Sequence, residues 1–405
     1  MKIAARLLGI FLVIGCIFSL VNSSAFAELQ SGKEKFGSEK NGQWSSLSEP
    51  SSEYVDFCCY SSEWYAALKS DGTVIASGLD RSFSLEDIDE INSWENIVDI
   101  VSCGDMIVGL KEDGTVEEIG LSNLAEYYTV TSPDSWTDIT KICIGYTHTI
   151  YGLKADGTVA VAGYMPEASD EYTQKQRNNI ATWENVVDLD GTIYMAGDEL
   201  IALCADGRVL DRDSYENLSE EQLEHTQYFG RPVKINDGIS IQSGGWINTC
   251  LRADGTVAIW GYDYDRLHKE VSQWTDVVQV YGGDTAVIAL KSDGTVLRTH
   301  ALLDEYHAAL DSWTDITYLY HSDYDGGYTF GVKNDGTVVL NWGWEWEYKD
   351  DPDGYYYSIF KEIQDTVQSW KNIETIEMEY GAVIGHLRGG GIVVCAPEYK
   401  DLISE

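Results

Sequence analysis

Short apolar runs of strand length, broken by Gly and by Asp-Gly pairs, set the pattern of this chain from about Tyr54 to Ala396. Between Trp136 and Gly163 three runs follow one another: Ile139–Ile144, Thr149–Leu153 and Thr158–Ala162. They are rich in Ile, Val, Thr and Tyr, which suit a pleated, packed surface. Lys154-Ala155-Asp156-Gly157 divides the second run from the third. Asp bonds its own backbone and Gly takes positive φ freely, so a hairpin turn is predicted there. Gly145 breaks the first run from the second. No run reaches helix length, so each unit is predicted as an antiparallel three-stranded meander, with room for a fourth strand in the variable stretch that follows. Runs such as Ala286–Leu290 are apolar throughout, the mark of strands covered on both faces. A lone meander cannot bury two faces, so the units must stack, and closure into a ring removes exposed edges.

The phrase Asp-Gly-Thr-Val recurs at Asp71, Asp113, Asp156, Asp254, Asp293 and Asp335, with a worn copy at Asp206-Gly207-Arg208-Val209. Successive Asp residues stand 42, 43, 50, 48, 39 and 42 positions apart, a period that points to a solenoid or propeller. About 20 residues before five of the phrases stands a Trp, at Trp94, Trp136, Trp183, Trp274 and Trp313, followed two residues later by Asp or Asn and then Ile or Val. Units around Asp71 and Asp254 lack the Trp. An eighth unit begins at Trp370 and carries Gly390-Gly391 in place of Asp-Gly.

The pattern W-x-[DN]-[IV]-x-x-[IV], then Gly, then L-[KR]-x-D-G-T-V, then Gly resembles the repeat of the RCC1 (regulator of chromosome condensation) superfamily in its secreted bacterial form. It spans nearly the whole chain after residue 54. The resemblance implies an all-β protein, a β-propeller of four-stranded blades, usually seven. The units number eight here, so eight blades are expected, with seven if a terminal unit is incomplete. Asn41-Gly42-Gln43-Trp44 resembles the family's Gly-Gln phrase, which would make Trp44–Leu47 an outer strand completing the blade begun at Trp370. The expected organisation is a leader over 1–27, a polar segment over 28–50, the propeller over 51–398 and a tail over 399–405.

Lys2 and Arg6, the apolar Leu7–Val21 and Ala25-Phe26-Ala27 make a secretory signal peptide cleaved after Ala27. Val13-Ile14-Gly15-Cys16 offers the alternative of a lipoprotein anchored through Cys16. The formal charge is −40, and −42 without Lys2 and Arg6. Phosphate binding draws on clustered Lys and Arg, so nucleic acid is excluded and no membrane insertion is expected after cleavage. The acidity serves solubility outside the cell, or attraction of a basic partner. Seven Cys remain after the leader, an odd number without a C-x-x-C pair, which fits buried thiols better than a disulfide framework or a zinc site.

Templates for catalysis are missing: neither H-E-x-x-H nor G-x-S-x-G occurs, and the seven His stand apart. No enzyme, cofactor or metal is therefore expected. His148 reads as structural. Asp350–Gly354 and Asp323–Gly326 carry calcium-like acidic spacing, but at the first of them Lys349 and Phe360 occupy what would be the first and twelfth EF-hand positions.

Binding is expected on the face formed by the loops between first and second strands. One aromatic or more comes from almost every blade: Tyr60, Trp64, Tyr146, Tyr194, Trp246, Tyr281, Tyr324, Tyr328 and Tyr380. The longest insert adds Trp344, Trp346, Tyr348, Tyr355, Tyr356 and Tyr357, which have no counterpart in other units. Trp260, Trp342 and the six unit-opening Trp read as structural. Aromatic clusters serve protein interfaces. The expected function is a secreted, monomeric, non-catalytic scaffold for a protein partner, an extracellular enzyme among the candidates. The alternative is a glycan-binding surface module, and a polysaccharide-active enzyme ranks last.

Overall fold

The computed structural model describes residues 50–397 apart from 61–63, 79–82, 122–124, 126–128, 146, 166–170, 195–196, 213–234, 245–246, 262–263, 284–285, 300–307, 323–326, 344 and 349–353. Eight small antiparallel sheets follow one another along it. Blade 1 joins β1 (Tyr54–Tyr60), β2 (Trp64–Lys69) and β3 (Val74–Gly78), then runs into α1 (Leu85–Ile91). Blade 2 is β4 (Ile97–Cys103), β5 (Met106–Lys111) and β6 (Val116–Ile119). Blade 3 has four strands, β7 (Thr129–Thr131), β8 (Ile139–Ile144), β9 (Thr149–Lys154) and β10 (Val159–Met165), in spatial order β7-β10-β9-β8, with α2 (Glu171–Ile180) after it. Blade 4 is β11 (Val186–Tyr194), β12 (Gly197–Cys204) and β13 (Val209–Asp211). Blade 5 is β14 (Gly238–Gln242), β15 (Ile247–Arg252) and β16 (Val257–Gly261), followed by α3 (Tyr264–Val271). Blade 6 is β17 (Val277–Gly282), β18 (Val287–Lys291) and β19 (Val296–Arg298), followed by a 3-10 turn at Ala308–Ser312. Blade 7 is β20 (Ile316–Ser322), β21 (Tyr328–Lys333) and β22 (Val338–Trp342), followed by α4 (Glu345–Tyr348) and α5 (Tyr355–Ser369). Blade 8 is β23 (Ile373–Glu379), β24 (Ala382–Leu387) and β25 (Ile392–Cys395). The inner strands of successive blades touch all the way round, β23 and β1 included, so the ring is closed. The chain is an eight-bladed β-propeller.

In four of the eight blades a helix or 3-10 turn, and not a strand, fills the outer position expected to hold a fourth strand. Only blade 3 gains one among the described residues, β7, drawn from the stretch before the blade. Elsewhere α1, α3, α5 and the 3-10 turn lie against the preceding third strand. Their sequences explain this. In α5 Phe360, Ile363 and Val367 are buried, spaced three and four apart, so one helical stripe covers the strand edge. In α1 Ile88 and Ile91 do the same, and Ser84 with Asp87 forms a capping box that starts the helix.

The core is divided into eight apolar layers, one between each pair of neighbouring blades. Both faces of every blade are thereby covered, as the apolar runs require. Each unit-opening Trp is buried in the layer before its own blade. A Cβ added at Gly109, Gly152, Gly331 or Gly385 of the middle strands would stand 2.7–3.0 Å from the Trp94, Trp136, Trp313 or Trp370 ring, so the Gly of the repeat is the floor of a Trp slot. In blade 5, Ile235 takes the Trp position and Cys250 fills the place of the Gly.

The remaining repeat letters stitch blade to blade. In six of the seven Asp-Gly turns one Asp Oδ accepts from the backbone N–H and hydroxyl of the following Thr, as at Asp71 and Thr73 (3.0 and 2.6 Å). The turn glycine then offers its carbonyl to the first inner-strand residue of the next blade: Ile97 N–H donates to Gly72 O at 2.9 Å, and six further junctions repeat the bond. The residue before that donor is Asn96, Asp138, Asn185, Asp276, Asp315 or Asn372, each with φ of 61–63°. Asn and Asp enter this left-handed region most readily among residues with a side chain, which accounts for the Asp-or-Asn position in the repeat.

The junction of blade 8 with blade 1 is made differently. Ser51, which stands where other units have Trp, pairs antiparallel with Ile392 (Ser51 N–H to Ile392 O 3.0 Å, Ile392 N–H to Ser51 O 2.9 Å). Tyr54, Phe57 and Cys59 pack with Ile384, Ile392 and Val394 behind it. The expected closing strand Trp44–Leu47, and the leader, lie outside the described residues. No helix among the described residues is long and apolar enough to cross a membrane.

Candidate binding surfaces

The aromatic residues proposed from sequence divide into three groups. Trp64 and Tyr328 belong to the core and offer nothing to a partner. Trp64 is fully buried, donates from Nε1 to Gly104 O at 3.0 Å and meets Phe83 edge-on at 4.7 Å. Tyr328 stacks between Phe330 and Trp342 at 6.1 and 6.0 Å. Position in the first or last turn of a strand put both near a loop, but the alternation of the strand turns them inward. A second group is half-buried: Tyr60 packs edge-on against Tyr380 (4.9 Å), and Tyr281 against Tyr320 (5.8 Å). Tyr146, Trp246, Tyr324 and Trp344 lie outside the described residues, as do the side chains of Tyr194 and Trp346 and both calcium candidates.

The third group forms a ladder. Trp342, buried at the end of β22, stacks on Tyr348 of α4 at 5.7 Å and on Phe360 of α5 at 4.9 Å. Tyr348 meets Tyr356 at 5.5 Å, and Tyr356 meets Tyr355 at 5.5 Å. Tyr357 packs edge-on against Phe360 at 5.9 Å. An unbroken series of rings thus runs from the core of blade 7 to the surface, ending in Tyr355 and Tyr356, which are 61% and 44% exposed. Rings held this way present large apolar area with little rotamer freedom left to lose.

A feature that the aromatic reading missed lies on the axis. A cavity of about 430 Å³ is lined by inner-strand residues of blades 8, 1, 2, 3 and 4, among them Asp56, Asp99, Lys141, Asp190, Glu377 and Glu379. Burial, with Glu377 and Asp99 nearby, raises the Asp56 carboxyl to about 7. Burial likewise raises Asp99 and Asp190 to about 6, and Glu379 well above the usual range. The equivalent inner-strand positions of blades 6 and 7 hold Gln279, Tyr281, Tyr318 and Tyr320. These polar groups tie blades together. Ser243 N–H donates to Asp190 at 2.7 Å, Ser102 Oγ to Glu379 at 3.0 Å, Leu319 N–H to Gln279 at 3.0 Å and Tyr320 Oη to Met378 O at 2.9 Å. Lys141 Nζ meets Asp188 at 2.7 Å. Their signal in the sequence was faint: a single polar letter inside runs such as Ile-Val-Asp-Ile. Among the described residues no group of three His, Cys, Asp or Glu side chains is arranged to hold a metal ion. His148, at φ 59°, bonds Asp105 at 3.0 Å across the blade 2–blade 3 boundary.

No family model and no curated protein matches the chain. Solved structures do. The computationally designed Ika8 protein is 13% identical with a TM-score of 0.44, over 86% of this chain and 98% of that one. The CRINKLY WD40 ectodomain of the Arabidopsis thaliana receptor kinase ACR4 is 15% identical with a TM-score of 0.38, over 73% and 95%. Prp20p from Saccharomyces cerevisiae, described with its binding to Gsp1p and histones, is 12% identical with a TM-score of 0.35, over 71% of each chain.

Proposed function

We infer that this chain is a secreted, non-catalytic propeller of RCC1-like repeats that binds a protein partner through the aromatic insert of blade 7. The observation that carries this reading is the ladder from Trp342 to Tyr355: two exposed tyrosines backed by stacked rings anchored in the core. Exposed, rigidly supported aromatics are the residues that dominate interface energies. Asp190 and Glu379 accept hydrogen bonds from other blades, which favours a structural task for these two over acid–base chemistry. The signal-like leader supports export. An extracellular enzyme is the concrete partner class, and glycan stacking on the same tyrosines is the second reading.

Capture of partners from culture and host extracts tests this, with Tyr355→Ala/Tyr356→Ala as the control. A stoichiometric protein whose retention drops about ten-fold or more with that variant supports the proposal, since paired hot-spot rings contribute on this scale. Binding indifferent to the substitution removes this surface from consideration. Retention on a glycan array at millimolar concentration, with no protein captured, would move the assignment to carbohydrate.

A further inference from the structure

Every inner strand carries a β-bulge after its first residue: the pairing slips between Tyr54 and Asp56, Ile97 and Asp99, Val186 and Asp188, and at the same place in the other five blades. The skipped residue has no partner in the ladder and is re-aimed outward. Five of these eight residues are β-branched aliphatics, Val55, Val98, Val187, Ile239 and Val278, and all five are 38–56% exposed. Thr140 and Thr317 are exposed at the same position in blades 3 and 7, and Glu374 in blade 8. Five of the eight large hydrophobics exposed on the described surface therefore sit at one repeated position. The repeated position gathers these side chains at one end of the ring, and exposed apolar patches mark interaction sites.

Val55, Val98 and Thr140 of this ring each precede a residue that lines the axial cavity. The next residue inward on four consecutive blades is Asp56, Asp99, Lys141 and Asp188, of which the first three line the cavity. Lys141 is paired with Asp188 and Glu377 with His386 at 2.8 Å, leaving Asp56, Asp99, Asp190 and Glu379 as the remaining carboxylates of the cavity. The end concerned is the one opposite the aromatic ladder. The bulges lie at the start of the inner strands, whereas Trp342 pairs with Tyr328 and Tyr328 with Ser322, at the finish of β20.

We propose that the bulge ring and the acidic mouth it surrounds form a second docking surface, for a protein segment that presents a Lys or Arg side chain from an aliphatic tip. The apolar ring supplies contact area, and Asp99 and Asp190, which burial raises only to about 6, supply the charge complement at neutral pH. A second copy of this chain fits poorly, because it would bring two acidic mouths together. The acidic total charge of the chain steers a basic segment from a distance.

The probe is a displayed library of random peptides panned on the mature protein. The comparison proteins are Val98→Asp/Val187→Asp/Val278→Asp and Tyr355→Ala/Tyr356→Ala. Because the ring side chains are exposed, the triple variant should keep the parent melting temperature, and a Val→Ser set serves if it does not. The expected result is a pool enriched in Lys or Arg beside Leu, Ile or Val. These peptides should bind the triple variant at least about ten-fold more weakly and the tyrosine variant unchanged. The proposal is overturned by a pool without enrichment, by acidic or neutral consensus peptides, or by peptides that bind the triple variant as well as the parent. Concentration-dependent dimers lost in the triple variant, or zwitterionic vesicles bound through the same residues, would also overturn it. Loss of binding with the tyrosine variant alone would support the blade 7 surface and reject this one.

Discussion

Asp56 is held in its protonated form to about pH 7, while the same group in the unfolded chain releases its proton near 3.8. Between those values the folded protein binds more protons than the unfolded one, so rising pH drives unfolding. The stabilisation is complete below about pH 4 and disappears as pH climbs through 7. Asp99 and Asp190 act in the same direction, their contribution lost through about pH 6. His386, raised by its bond to Glu377, also loses its contribution as pH rises through its folded pKa. The turn residues run the other way. Asp71, Asp113 and their equivalents are lowered by the Thr hydroxyl and amide, so they stabilise above 3.8 and lose that on acidification. The expected outcome is a melting temperature highest at about pH 4 and falling through pH 7, with a shallower decline in Asp56→Asn. Identical slopes in parent and variant would assign the pH response elsewhere.

At the scale of elements, the closing turn of blade 8 gives a paired comparison. Gly389, Gly390 and Gly391 all have φ near 95°. A Cβ at Gly389 meets nothing within 4 Å, whereas one at Gly391 would stand 2.2 Å from Ser51 O, the atom that closes the ring. Gly389→Ala should cost only the backbone term, about 1 kcal/mol. Gly391→Ala adds a clash with main chain, about 1–3 kcal/mol more. Chemical denaturation should rank the two in that order, and equal midpoints would deny Ser51 a part in closure. The hairpins, the Trp slots and the Asp-Gly turns were legible because each is a fixed letter at a fixed spacing. The helices were not, since attention to strand-length runs passed over the three-and-four spacing of Phe360, Ile363 and Val367. Of the insert expected to serve binding, Tyr355–Tyr357 open the docked helix α5. The bulge ring was hidden for another reason: Val98 or Val187 looks like one more letter of an apolar run until a one-residue slip turns it outward.

For the whole molecule, stability rests on eight layers in series, and a ring held by seven turn stitches has one junction of a different kind. The Ser51–Ile392 pairing is the described part of that junction. Removing residues 28–50 is expected to lower the melting temperature markedly or to cause aggregation, a loss of several kcal/mol if a large side chain and a set of strand hydrogen bonds go with it. An unchanged melting temperature would show that the Ser51 bridge suffices. Ring architecture and blade number were legible at this scale from the repeat alone; the axial cavity was not, because it exists only where eight separate strands converge.

The thiols give this ring a built-in set of reporters. Cys58, Cys59, Cys103, Cys143, Cys204, Cys250 and Cys395 are all buried, and they are shared among blades 1, 2, 3, 4, 5 and 8. Burial pushes Cys143 and Cys250 up to about 12, so at neutral pH the folded protein shields them from alkylation. Cys59 lies in the seam itself, its Sγ donating to Glu379 O at 3.3 Å. Pulse alkylation read by mass spectrometry would therefore time the opening of individual blades without any engineered label. A ring that parts at its seam would surrender Cys59 ahead of Cys143, and one that melts as a unit would release every thiol together.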